Sequence, residues 1–132
     1  MKPLYEPPNP SGWDEHLVIA VDYDGTLTKR TDGSVDDVAI SYVKDLYDLG
    51  CVIILWTSRY GQDLQKAIQE CSKRGLQFDG INENPYRVSS QKVSADAYID
   101  DKASPTHDID WNAWIQHIRT KAYSKQYTLL ER

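Results

Sequence analysis

The chain has 132 residues, the size of one domain with one core, and its 40% apolar and 27% charged content is ordinary for a globular protein. A net charge of -5 argues against a general nucleic-acid or anionic-membrane binder, although it leaves room for a local basic pocket. The longest aliphatic-aromatic runs are five residues, against the about 20 that span a bilayer, and the opening MKPLYEPPNPSG lacks the apolar segment of a signal peptide.

In chain order, residues 1–16 are proline-rich and polar and predict an irregular arm ahead of a single domain over 17–132. Residues 17–21 (LVIAV) form a continuous apolar run, the mark of a strand buried on both faces. Residues 25–34 predict a loop or small flap. Ser34 to Asp37 resembles a capping box with Asp in place of Glu. A helix should follow over 36–49, burying Val38, Tyr42, Val43, Leu46 and Leu49, with Ile40 and Tyr47 off the stripe and Gly50 ending it. Residues 51–56 predict a second buried strand. A second helix over 62–74 would turn Leu64, Ala67, Ile68 and Cys71 inward and stop at Gly75. Residues 76–81 predict a short third strand and 82–88 a loop. Residues 97–99 predict a last strand, and 111–121 a helix with Trp111, Trp114, Ile115 and Ile118 on one side. Cys51 and Cys71 lie in apolar patterns and read as small buried thiols, fitting a reducing cytoplasm, with a disulfide or metal site as the alternative.

Strands alternating with helices predict an α/β fold: a doubly wound, mostly parallel sheet with right-handed crossovers and helices on both faces. In such folds ligands bind beyond the carboxyl ends of the strands. The conspicuous polar groups fall there: Asp22 and Asp24, the run Thr57-Ser58-Arg59, and Asp100 and Asp101. If the first strand continued regularly, Asp22 and Asp24 would share a face. Up to four carboxylates around one crevice repel one another, and a divalent cation relieves this; hard oxygen ligands suit Mg²⁺. His16, His107 and His117 are scattered and do not make a zinc pattern. Thr57 offers a hydroxyl and backbone amides, and Lys92 a positive charge. A metal, a hydroxyl, a lysine and a carboxylate nucleophile match phosphoryl transfer.

These segments resemble the haloacid dehalogenase (HAD) superfamily of phosphatases. VDYDGTLT (21–28) is similar to its first motif, ILWTSR (54–59) to its second, Lys92 to its third and AYIDDKA (97–103) to its fourth. The resemblance implies a Rossmann-like catalytic domain and a Mg²⁺-dependent phosphomonoesterase working through an aspartyl-phosphate. By the same resemblance Asp22 is the nucleophile and a metal ligand. Asp24 is the general acid/base, with its carbonyl on the metal. Thr57 and Lys92 hold the phosphoryl group, with Gly25, Ser58 and Arg59 as further substrate-binding candidates. Asp101 is the preferred fourth-motif metal ligand, and Asp100 pairs with Lys92 or with metal-bound water. TSR also resembles the SGR of polynucleotide 3′-phosphatases, where the arginine contacts phosphate; a solvated or helix-capping Arg59 is the other reading.

Neither 25–56 nor 60–91 has room for a cap domain, so the chain resembles the capless members, including small bacterial or phage hydrolases with ILWT and an Asp-Trp like Asp110-Trp111. An open site suits bulky phosphorylated substrates or cover by a second subunit, which leaves self-association open. The flap 28–34, the loop 82–88 and the arm remain to shape the pocket, with Tyr23, Tyr60 and Tyr86 at its rim. The acidic balance disfavours a nucleic-acid groove without closing the case against an end phosphatase. A non-catalytic phospho-acceptor of the receiver type is the other alternative. Its acid pair follows the first strand as adjacent acids and its acceptor Asp follows the third, an order this chain does not have.

Overall fold

The computed structural model describes residues 16–85, 95–100, 109–125 and 129–132. The arm 1–15 lies outside them, as do Tyr86, Lys92, Asp101 and His107. In chain order the described elements are β1 (Val18–Asp22), α1 (Asp37–Leu49), β2 (Val52–Trp56), α2 (Gly61–Lys73), β3 (Gly80–Ile81), β4 (Ala97–Ile99) and α3 (Trp111–Lys125). No described helix is long and apolar enough to cross a membrane.

The strands form one parallel sheet in the order β3-β2-β1-β4. β1 pairs with β2 from Val18–Val52 to Asp22–Trp56, and with β4 from Ile19–Ala97 to Val21–Ile99. The chain winds outward from β1 through β2 to β3, then returns past β1 to β4. That reversal makes the sheet doubly wound and puts its switch point between β1 and β4.

The continuous apolar runs follow from burial of both sheet faces. On one face Ile19, Val21, Ile53, Leu55 and Ile99 join Ala39, Ile40, Val43 and Leu46 of α1, Ala67 and Cys71 of α2, and Trp111 and Ile118 of α3. On the other, Val18, Ala20, Val52 and Ile54 pack with Trp56, Ala95, Tyr98 and Leu130. The described helices thus share one face, where helices on both were expected, and the second face is lined by Trp56, Ala95, Tyr98 and Leu130.

Three local expectations shift. The N-cap of α1 is Asp36, whose carboxylate accepts the N–H groups of Val38 (3.0 Å) and Ala39 (3.3 Å). Ser34 cannot cap because Val35 bridges to Thr28 and the Asp36 N–H reaches the Leu27 carbonyl, so the chain is still extended there. The buried stripe of α1 is therefore Ala39, Ile40, Val43 and Leu46, and Val38 is 62% exposed. β3 covers only Gly80–Ile81. Asp79 explains this: its carboxylate takes the Ile53 N–H (2.8 Å) that a longer β3 would have paired, and its own N–H meets the Ile53 carbonyl (2.8 Å). Asp96 treats Val18 in the same way at the start of β4.

Gly50 ends α1 as expected, at φ +106°, and its N–H reaches the Leu46 and Tyr47 carbonyls. A Cβ there would also collide with the backbone of Leu130, whose N–H donates to the Gly50 carbonyl (2.7 Å). Nearby, Arg132 grips Asp79 with two hydrogen bonds (3.0 and 2.8 Å) and lies over the Tyr47 ring. This clasp sits where β2 and β3 begin, at the sheet edge opposite the acids.

Candidate functional site

The ladder of β1 stops at Asp22, and the chain curls at once. The Tyr23 carbonyl accepts N–H groups from Thr26 (3.2 Å), Leu27 (2.9 Å) and Thr28 (3.2 Å). Gly25 makes the curl possible at φ +80°, a conformation that side chains disfavour. Its N–H donates to the Thr28 hydroxyl (2.9 Å), so its contribution is the turn and not a free amide for a ligand. Buried Leu27 and the Thr28–Val35 bridge close the flap expected over 28–34. Asp22 and Asp24 are therefore not related by strand alternation. Asp22 stays half-buried at the sheet edge, while Asp24 leaves it and points its carboxylate outward.

At the end of β2, the Thr57 N–H donates to the Asn82 side-chain carbonyl (2.7 Å), and the Asn82 N–H to the Leu55 carbonyl (2.7 Å). Thr57 is only 9% exposed. Its hydroxyl accepts the Arg59 N–H (3.1 Å), and among the described residues no acceptor meets its proton. Ser58 is exposed, and its N–H likewise has no described acceptor. Just beyond, α2 begins with Tyr60 at its N-cap and no side-chain cap, so its first N–H groups face the same edge. Donors without acceptors at a helix N-terminus suit an anion.

Arg59 is engaged elsewhere than expected. Its Nε and Nη2 donate to the two Asp24 oxygens (2.9 and 2.7 Å), Nη1 reaches the Asp63 carbonyl (3.5 Å), and the guanidinium lies 4.8 Å over the Tyr23 ring. The bond to Asp24 holds the Arg59 pKa above its ordinary value. Tyr23 is 3% exposed and belongs to the core, not the rim; burial, more than its neighbours' charges, raises its phenol. Tyr60, just before α2, is 84% exposed.

The register brings the late acid pair to the same place. Val21 pairs with Ile99, so Asp22 and Asp100 are the next residues on neighbouring strands. Both lie at the carboxyl edge, at the switch point. Lys92 and Asp101 fall outside the described residues, and the structure gives no geometry for them.

No family model matches the chain, nor does any curated protein. A solved structure of a conserved protein from Bacteroides thetaiotaomicron is similar: 31% identical, with a TM-score of 0.68, over 86% of this chain and 98% of that one. This chain belongs to that protein's family. The likeness runs over nearly the whole length of the Bacteroides protein. A shared fold leaves chemistry to be argued from the site.

In this member of the family, the described edge gathers Asp22, Asp24, Thr57, Arg59 and Asp100. No three described carboxylates, thiols or imidazoles gather as a metal-ligating group. Among the described residues, His117 is exposed against Trp114, and both cysteines are free buried thiols. The described donors at this edge are hard oxygens. Two groups escaped the sequence reading. Asn82 fixes Thr57, and its one readable signal was an Asn just after a short strand; it holds φ +56°, a left-handed conformation that Asn tolerates. The Arg59–Asp24 pair had none, because it joins two loops 35 residues apart.

Proposed function

We propose that the chain is a Mg²⁺-dependent phosphomonoester hydrolase of the HAD type that works through an aspartyl-phosphate on Asp22. The observation that carries this reading is the buried Thr57 hydroxyl. It presents a proton without a described acceptor at the strand edge that also holds Asp22, and one strand away lies Asp100. An anion receptor beside carboxylates is the pairing that phosphoryl transfer needs.

In the proposed reaction an Asp22 oxygen attacks phosphorus. The bond from phosphorus to the leaving oxygen breaks, and that oxygen takes a proton from Asp24. Water then attacks the acyl phosphate while Asp24 accepts its proton. The bond from phosphorus to Asp22 breaks, releasing phosphate and restoring the carboxylate. Thr57 and the Ser58 N–H orient the phosphoryl oxygens, with Lys92 assigned to the same task by its motif.

The donor set fits a hard cation that keeps several waters. Mg²⁺ is commonly held by one or two carboxylates plus substrate oxygens, so a three-ligand protein cage is not required. Asp22, the Asp24 carbonyl and the Asp100–Asp101 pair would hold it. Bound there, it would offset the charge of the phosphoryl oxygens and the attacking carboxylate. Magnesium-dependent hydrolysis of p-nitrophenyl phosphate should fall by roughly 10³-fold or more in Asp22→Asn. Equal rates in the two proteins would rule the reading out. The end-phosphatase alternative relied on an Arg59 directed at phosphate, and the pairing of Arg59 with Asp24 lends it no support.

A further inference from the structure

We infer that Arg59 is a positioning residue for Asp24 and not a ligand of the substrate phosphate; this rests on the proposed hydrolase reading. Asp24 needs such a partner. Its carboxylate is 53% exposed, on a loop that has already left β1, and nothing in the strand ladder fixes its direction. An exposed Asp samples several rotamers, and a group that must meet one particular proton loses rate in each of the others.

Arg59 supplies the missing constraint. Its planar fork takes both carboxylate oxygens at once, which sets the plane of the group as well as its position. The fork is itself held on its other sides. The Tyr23 ring lies beneath it, and Nη1 reaches the Asp63 carbonyl in the first turn of α2. At its root the Arg59 N–H is donated to Thr57. One residue thus ties the proposed acid/base of the first loop to the proposed phosphate ligand of the second, and each of its three guanidinium nitrogens already has an acceptor. Lysine, a point charge, could reproduce the attraction but not the two-point grip.

A double-mutant cycle on kcat for p-nitrophenyl phosphate, with the inhibition constant of inorganic phosphate measured alongside, tests this. Arg59→Ala should lower kcat by roughly 10- to 100-fold and leave the phosphate constant within about twofold. In an Asp24→Asn background the same change should alter kcat by less than about twofold, because the group it positions is gone. Arg59→Lys should recover part of the loss, and serves as well if the alanine variant folds poorly. Equal losses in both backgrounds, or an inhibition constant about tenfold weaker in Arg59→Ala, would overturn the positioning role while leaving the hydrolase intact. Absence of Asp22-dependent hydrolysis in the wild type would instead overturn the reading beneath it.

Discussion

Cys51 and Cys71 show how burial decides the chemistry of a single residue. Both are 0% exposed, and burial pushes each thiol from its ordinary 9.0 to about 12. The charge of Arg132 opposes this at Cys51, and that of Arg74 at Cys71, without reversing it. Such thiols are poor nucleophiles at neutral pH and should resist alkylation until the protein unfolds. The folded pKa lies above the unfolded one, so folding keeps the neutral thiol. The stabilisation is complete below pH 9 and is lost as pH rises from about 9 toward about 12. At pH 10 each thiol should have given up about 1.4 kcal/mol. Urea unfolding at pH 8 and pH 10 should show that drop in the wild type, and a smaller one when both cysteines are replaced by alanine. The burial of these residues was readable from their apolar neighbours. The engagement of Arg59 was not, since no local pattern says which distant acid a guanidinium will meet.

In helix α1 spacing fixes where the helix runs but not which side turns inward. Its existence, its length and its stop at Gly50 were legible, because spacing and a left-handed cap are local properties. Its inward face was misjudged by about one residue. Val38 and Ile40 are both aliphatic, and a stripe through either is self-consistent. The choice between them is made where the helix leaves the flap, at Asp36, and that exit is fixed by the Val35–Thr28 bridge and by the Asp36 N–H donated to the Leu27 carbonyl. Ile40 is 2% exposed and Val38 is 62% exposed. Ile40→Ala should therefore cost about 2–4 kcal/mol in chemical denaturation, and Val38→Ala less than about 0.5 kcal/mol. The reverse order would show that the helix sits in the register its sequence pattern suggested. β3 misled for a similar reason. Leu76 is buried without strand pairing, because the Asp79 carboxylate occupies the amide of Ile53.

On the scale of the whole molecule, the sheet order creates the site. β1 is central, and the reversal of winding sets β4 against it, so acids 78 residues apart, Asp22 and Asp100, become neighbours at one carboxyl edge. The alternation of apolar runs and helical spacing was enough to foresee this, because parallel sheets leave few topologies open. In the proposed reaction Asp22 carries the phosphoryl group. This is tested most directly in Asp24→Asn supplied with p-nitrophenyl phosphate and Mg²⁺. The nitrophenolate leaves without a donated proton, while the water step lacks its base, so the covalent species should accumulate. Acid quenching and peptide mass spectrometry should then find one phosphoryl group on the peptide containing Asp22, and none when Asp22→Asn is added. Nitrophenol released with no phosphoryl group on the protein, or a group that persists in the double variant, would contradict the account.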